Sequence, residues 1–456
     1  MARCYCRWRR VLICVCTPCI SLVLLFVYIS VMVCMDMHIT TSVQPSMDSA
    51  HFVASGLLIN NSFAPLPKTF WKLHLQDAYW NRLQLTVDRY FNPILRPNNY
   101  KRRYENSSLH ESALRLGFSS VTDLKSTSQN FDQLPQQMQD FISYMQKRYY
   151  PTLIQPDGVC GAGVKDEKEP PLLLLAIKST KINFKRRQAI RQTWGQTGWV
   201  AGQKSNSSEG KESGGYVRRV FLLAKETTEE LDVALSYLVQ MESQQYGDIL
   251  KWDFRDTFFN LTLKDVLFWS WFSRSCSSTR FVFKGDDDVF VNTPKMISYL
   301  QDQLKKPQAH KTMKEFMVGD VIAAAVPNRV NQSKYFIPDS FYKGLYPSYA
   351  GGGGVVYSGL LAKRLHNISK RVNLFPIDDV YVGMCMIRLN ADPIHQPAFL
   401  TFGFPKKEEE KPCSYHTILL VHKRSPDQLV KLWADLKKTQ EKCRDVPLRV
   451  EEKPKL

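Results

Sequence analysis

Phe281-Val-Phe-Lys-Gly-Asp-Asp-Asp-Val-Phe-Val-Asn292 is the stretch that decides the fold. Its apolar start, Phe281-Val-Phe283, reads as the end of a strand over residues 279–283. Three adjacent carboxylates follow directly, so they stand at the strand's C-terminal end, where open α/β sheets bind ligands. Asp286, Asp287 and Asp288 repel one another unless a cation offsets them, and oxygen donors suit Mn²⁺ or Mg²⁺. An Asp run can also cap a helix or decorate a loop. The apolar residues on both flanks favour the metal role.

Outward from this point the chain alternates between strands and helices. Pro171-Leu-Leu-Leu-Leu-Ala-Ile177 is a short uninterrupted apolar run, as expected of a strand buried on both faces. Residues 186–194 read as a helix, 203–215 as an exposed loop, 218–223 as a strand and 261–272 as a buried helix. Residues 316–320 and 354–357 are further strands, and 378–389 a helix with acidic residues at its start, where carboxylates favour the helix dipole. This order predicts an α/β domain with a mostly parallel sheet.

Three further motifs stand out. Phe375-Pro-Ile-Asp-Asp-Val-Tyr381 holds a second acidic pair. Asp378 is placed to cap the helix, or the pair points into a cleft; if Asp378 caps, neutralising it is the milder change. Tyr346-Pro-Ser-Tyr-Ala-Gly-Gly-Gly-Gly354 combines Tyr346 and Tyr349, able to stack on a sugar, with Gly351, Gly352 and Gly353, which allow close backbone approach; a flexible loop is the other reading. In Leu419-Leu-Val-His422 a lone histidine follows an apolar strand, a placement that is more often structural than ligating.

The N-terminus addresses the chain. Arg3, Arg7, Arg9 and Arg10 precede the uncharged apolar residues 11–35, long enough for a bilayer core of roughly 30 Å. The positive-inside rule leaves residues 1–10 in the cytosol and everything beyond 35 outside it, a type II signal anchor. Residues 36–155 read as a lumenal stem and accessory region, 156–446 as the catalytic domain and 447–456 as a tail. Phe70-Trp-Lys72 and Tyr79-Trp-Asn81 in the stem are read as docking onto the catalytic domain, and residues 133–150 as a helix. Beyond the anchor lie Cys160, Cys276, Cys385, Cys413 and Cys443; five is odd, so at least one is free or intermolecular. Sequons at Asn60, Asn106, Asn206, Asn260, Asn331 and Asn367 fit a glycosylated lumenal chain. A net charge of +18 favours acidic partners, but no basic run has the interleaved aromatics of a nucleic-acid platform, so no nucleic-acid partner is expected.

Arg186-Arg-Gln-Ala-Ile-Arg-Gln-Thr-Trp-Gly195, Lys284-Gly-Asp-Asp-Asp-Val-Phe290, Tyr349-Ala-Gly-Gly-Gly-Gly354 and Asp378-Asp-Val-Tyr-Val-Gly383, in this order, resemble the β-1,3-glycosyltransferase family over roughly residues 160–443. Phe70-Trp-Lys72, Tyr79-Trp-Asn81, Asn92-Pro-Ile-Leu95, Asp256-Thr-Phe-Phe-Asn260 and Cys413-Ser-Tyr415 are similar to its β-1,3-N-acetylglucosaminyltransferases, which extend poly-N-acetyllactosamine. The resemblance implies a GT-A type fold and inverting transfer of N-acetylglucosamine from UDP-N-acetylglucosamine to the 3-hydroxyl of a terminal galactose. It implies Asp288 and His422 as metal ligands for Mn²⁺ or Mg²⁺ and Asp379 as general base. Lys178, Arg187, Arg191, Asp256, Asp286 and Asp287 would line the nucleotide, with Tyr346, Tyr349 and the glycines bordering acceptor or donor sugar. It further implies a Golgi membrane location and homo- or hetero-oligomers with related transferases. The alternatives are a β-1,3-galactosyltransferase of the same family and a lectin-like relative without activity. Intact Asp288, Asp379 and His422 argue against the lectin. A phosphohydrolase would need a second metal cluster, which 9 ungrouped histidines do not supply.

Overall fold

The structure is a computed structural model that describes residues 78–91, 131–158, 160–161, 170–203, 214–226, 228–405 and 407–450. By contacts the chain divides into Met1–Asp48 and Ser49–Leu456, and only the second unit holds described residues. The expected anchor at 11–35, the aromatics of Phe70-Trp-Lys72, Asn92-Pro-Ile-Leu95 and the sequons at Asn60, Asn106 and Asn206 lie outside them. Among the described residues, no helix is long and apolar enough to cross a membrane.

The strands are β1 (Thr152–Ile154), β2 (Leu173–Lys178), β3 (Gly198–Ala201), β4 (Gly214–Lys225), β5 (Ile249–Arg255), β6 (Phe281–Asp286), β7 (Phe290–Val291), β8 (Met317–Ile322), β9 (Tyr349–Ser358), β10 (Ile394–His395), β11 (Phe399–Leu400) and β12 (Leu420–Val421). The main sheet runs β1-β5-β4-β2-β6-β9-β8-β10, with β3 beside β4. Its centre, β5-β4-β2-β6, is parallel, and antiparallel pairs flank it on both sides. Every residue of β2 is buried, the outcome its uninterrupted apolar run predicts for a strand covered on both faces.

Register is what positions the site. Parallel pairing of β2 with β6 sets Lys178 opposite Asp286. Antiparallel pairing of β6 with β9 sets Gly285 opposite Gly354, bringing the glycine run alongside the acidic turn. That run is not a flexible loop; it is the first half of β9, extending the expected strand back to Tyr349. A small sheet, β11-β12-β7, pairs Val421 with Phe290 and with Leu400, so His422 emerges beside Asp288.

Helices cover both faces, and the sheet divides the apolar interior into two clusters, one including Trp80, Trp269 and Tyr381 and the other Trp194, Phe283 and Trp433, with alternate residues of β2 in each. The helix Leu261–Ser275 buries eight consecutive residues, Thr262 to Trp269, and then Trp271 and Phe272, as its composition predicts. The predicted helix at 133–150 is shorter, Gln136–Tyr144, entered through Pro135.

The helix Tyr79–Phe91 is part of this interior. Trp80 is fully buried, and its indole N–H lies 3.0 Å from the Leu374 carbonyl and 3.2 Å from that of Asn373. Asp88 accepts two hydrogen bonds from Arg388, at 2.8 and 2.6 Å, with both side chains buried. Tyr79-Trp-Asn81 therefore docks as its aromatics suggest. Cys160 is bonded to Cys276 and Cys413 to Cys443, which leaves Cys385 free and buried.

Candidate active site

β6 ends at Asp286, and the turn to β7 supplies Asp287 and Asp288. His422 follows β12 and closes on them: its Nε2 is 3.1 Å from Asp288 Oδ1 and 3.9 Å from Asp286 Oδ2. One donor atom from each of Asp286, Asp288 and His422 lies within 4.8 Å of the others. Burial lowers the imidazole pKa, but the hydrogen bond and charge of Asp288 and the charge of Asp286 outweigh it and hold His422 above its ordinary value. Asp288 shows the converse: burial raises its carboxyl, while the bond and charge from His422 and the charge of Arg186 bring it below the usual range. Two carboxylates and one imidazole, half-buried, with His422 Nδ1 buried and without a partner, are a donor set that fits a divalent cation such as Mn²⁺ or Mg²⁺.

Asp287 turns the other way. It accepts from Ser179 Oγ at 2.6 Å and Asn183 Nδ2 at 2.9 Å. Burial nonetheless pushes its carboxyl upward, against the opposing pull of those bonds and of Arg186. Arg186 reaches both Asp287 and Asp288 at 3.7 Å, and its Nη1 is buried without a hydrogen-bond partner.

Lys178 joins this turn to the second acidic pair. Its Nζ is 3.1 Å from Asp286 Oδ1 and donates to Asp378 Oδ2 at 2.7 Å. The capping role expected for Asp378 is not what the structure gives. The N-cap of the helix Asp378–Arg388 is Ile377, with no side-chain bond, and Asp378 is a buried ion-pair partner. Asp379 lacks such a cation; it accepts the Gly352 N–H at 3.2 Å. Burial first, then the neighbouring Asp378 carboxylate, push Asp379 up to about 7, while Lys178 and Lys284 pull it down. Asp378, in contrast, is held low, since Lys178 and Lys284 overcome its burial. Lys284 is itself ion-paired to buried Asp265. The two carboxylates thus differ by environment, one kept charged and one poised near neutrality, as acid–base chemistry requires.

The glycines serve this arrangement. Gly352 adopts φ +80°, and a Cβ there would fall 2.1 Å from the Thr401 methyl. A Cβ on Gly353 would fall 2.8 Å from the His422 ring. Gly351 pairs with Asp320 of β8, and its carbonyl accepts from the Thr401 hydroxyl at 3.2 Å.

Other predicted residues lie elsewhere. Arg187 is fully buried and consumed by Glu242, at 2.9 and 2.7 Å, and by Ser179 at 3.1 Å. Arg191 bonds Glu242 and Asp248 at 2.7–2.8 Å. Both guanidiniums point at the helix Glu229–Tyr246 and the start of β5, not at the acidic turn; Arg187 reaches it only through Ser179. Asp256 is ion-paired to Lys264 at 2.8 Å, whose Nζ also donates to the Ser179 carbonyl at 3.0 Å. Tyr346 is buried, its ring packed on Tyr342 and Phe375 with centroids 5.6 and 5.7 Å away, so it is core, whereas Tyr349 remains half-buried beside Asp379. Of the described sequons, Asn331 and Asn367 are exposed, and Asn260 is half-buried, its amide donating to the Arg255 carbonyl at 2.8 Å. Sequence reasoning missed Arg186, Ser179, Asn183 and Thr401. Arg186 is adjacent to Arg187, and only helical phase separates the one that reaches the carboxylates from the one that does not.

Comparison with known proteins gives the same address. The galactosyltransferase family matches residues 185–397. The human N-acetyllactosaminide beta-1,3-N-acetylglucosaminyltransferase 2 is 42% identical over 382 residues, 83% of this chain and 89% of that protein. The rat UDP-GlcNAc:betaGal beta-1,3-N-acetylglucosaminyltransferase 7 is 39% identical over 66% of this chain and 72% of its own length. The human N-acetyllactosaminide beta-1,3-N-acetylglucosaminyltransferase 4 is 38% identical over 69% and 76%. With its acidic turn, its histidine and its second acidic pair assembled at one end of the sheet, the chain belongs to the galactosyltransferase family, alongside the β-1,3-N-acetylglucosaminyltransferases.

Proposed function

We propose that the chain transfers N-acetylglucosamine from UDP-N-acetylglucosamine to the 3-hydroxyl of a terminal galactose, with inversion at the anomeric carbon. The observation that carries this reading is geometric: Lys178 ties Asp286 of a three-donor metal group to Asp378, and the adjacent Asp379, without such an ion pair, accepts the Gly352 N–H while burial and the Asp378 carboxylate push its carboxyl up. Asp379 Oδ takes the proton of the acceptor hydroxyl as its oxygen bonds to the anomeric carbon and the bond to the diphosphate breaks. General-base catalysis works best when the pKa lies near the operating pH. Asp286, Asp288 and His422 would hold the divalent cation, which offsets charge on the diphosphate leaving group. Lys178 keeps Asp378 ionised, and this is what directs the proton to Asp379. Arg186 and Asp287 border the nucleotide in this reading; Arg187 and Arg191 support its wall from behind.

We also place the domain in the Golgi lumen behind a type II anchor at 11–35. The two disulfides support an oxidising compartment, and exposed Asn331 and Asn367 are available for glycosylation. The test is to present the purified chain with a panel of UDP-sugars and lactose-type acceptors and to determine the linkage formed. A β-1,3-linked N-acetylglucosamine product is expected; preferential galactose transfer, or a different linkage, would overturn the reading.

A further inference from the structure

The helix Glu229–Tyr246 is turned inside out. Its inner face carries ions: Asp232 pairs with Lys181, and Glu242 with Arg187 and Arg191. From Val233 to Tyr246 the sole charged residue is Glu242, and it is buried. The side turned to solvent is apolar instead. Val233 is 73% exposed, Tyr237 68%, Leu238 50% and Met241 49%, with Ala234 open beside them. Of the described apolar side chains of this helix, Val239 alone is fully buried. A surface helix ordinarily does the reverse, with its apolar stripe on the core and its charges in water. Packing within the chain does not account for this stripe, and a contiguous exposed apolar patch marks an interaction site.

The spacing of the stripe says what fits it. Val233, Tyr237 and Met241 follow one another at intervals of four residues, with Ala234 and Leu238 alongside. Such a row is a ridge, and two ridges of this kind interdigitate with their helix axes crossing at about 50°. The row is symmetric about Tyr237. A two-fold axis beside that residue therefore lays the row on its own copy with the helices antiparallel. Val233 then faces Met241 of the second copy, and Tyr237 faces its own equivalent. A groove of about 710 Å³ opens beside Met241, between this helix and the helix Phe184–Gln192. Phe184, Gln188, Leu238, Met241 and Tyr246 line it, and its charged members Arg191 and Glu242 are paired to each other. The groove adjoins the C-terminal half of the helix, so antiparallel pairing brings Val233 of the second copy over it.

Charge decides in favour of a second copy. The chain carries a net +18, so two identical molecules repel each other. A two-fold contact uses the same patch on both subunits, and a charged patch would there meet its own sign. The outer face of this helix escapes that penalty, since it has apolar surface to bury and no charge to oppose. We propose that the chain forms a two-fold dimer through the outer face of the helix Glu229–Tyr246, with Tyr237 at the axis. A contact made by one helix and the groove beside it falls at the small end of specific interfaces, for which roughly 800 Å² per partner is standard. The dimer is accordingly reversible and depends on concentration.

The full chain, purified in detergent, is followed by sedimentation velocity from about 1 to 100 μM. A shift from monomer to dimer across that range is expected. Tyr237→Lys sets two ammonium groups together at the axis and is expected to weaken association about 10-fold or more. Its melting temperature should match the parent's, because the side chain is exposed, and Tyr237→Phe should associate as the parent does. Val233→Glu should also weaken the dimer. Adding Met241→Lys to it should restore association, since each new carboxylate then faces an ammonium of the other copy. A parent chain that stays monomeric throughout overturns the proposal. So does association that Tyr237→Lys leaves intact, which would assign the contact to another surface or to the anchor. A Val233→Glu, Met241→Lys chain that melts like the parent but does not recover overturns the antiparallel pairing. No readout here depends on turnover, so the result stands apart from the transferase reading.

Discussion

Asp378 and Asp379 are adjacent and equally short, the first buried and the second half-buried, yet a lysine faces one and a backbone amide the other. The consequence is measurable. Asp379→Asn keeps the shape and loses the proton acceptor, so kcat should fall on the order of 10² to 10⁴ while UDP affinity, read by calorimetry, stays near that of the parent. In the parent, kcat should decline as pH drops below about 7, because the protonated carboxyl cannot act as base; a profile flat down to pH 5 would remove Asp379 from the role. The sign for stability runs oppositely. An Asp titrates near 4 when unfolded, so between that value and about 7 the folded state binds the extra proton and stability declines as pH rises. Asp379→Asn should consequently melt higher than the parent at pH 8 and alike at pH 3. At the acidic turn, chelation and Asp288→Ala should each abolish transfer, and Mn²⁺ or Mg²⁺ should restore only the chelated parent. Turnover by Asp288→Ala near the parental rate would exclude Asp288 from metal binding.

At the scale of elements, the helix Tyr79–Phe91 and the helix Asp378–Arg388 behave as one unit. Arg388 is buried and its charge is met by Asp88, so Asp88→Ala leaves a cation in the interior at a cost of about 3–5 kcal/mol. A denaturant melt should show that loss; a change under about 1 kcal/mol would mean the helix is a loosely attached stem after all. This tie was not legible in the sequence, where the two residues are separated by 300 positions. What was legible was local: the apolar run of β2, the strand ahead of the acidic turn, the buried helix from Leu261. What escaped depends on phase or on distant partners. Arg187 and Arg191 look as available as Arg186 until helix geometry turns them toward Glu242 and Asp248. Tyr346 looks as open as Tyr349 until Tyr342 and Phe375 close over it. Asp378 satisfies a capping pattern until Lys178, 200 residues away, claims it.

Among the described residues the candidate site draws on the end of β6, the segment after β12 in the small sheet and the helix Asp378–Arg388, all far in sequence from residues 1–35. Replacing that segment with a cleavable signal should give a secreted, active enzyme; a folded but inactive product would tie the anchor to catalysis. The Cys160–Cys276 disulfide spans 116 residues and joins the segment ahead of β2 to the end of the helix Leu261–Ser275. Replacing both cysteines by serine should cost about 2–4 kcal/mol, seen as a lower melting temperature with the metal group intact.

Gly352 places a limit on what variation the gene can tolerate. Every missense change of a glycine codon adds at least a β-carbon, and here that carbon would collide with a threonine methyl on a backbone already turned to positive φ. No replacement at this codon is conservative, however small the residue it encodes. Carriers of any such allele should make a chain in which the amide at 352 is displaced from Asp379, the contact it makes here at 3.2 Å.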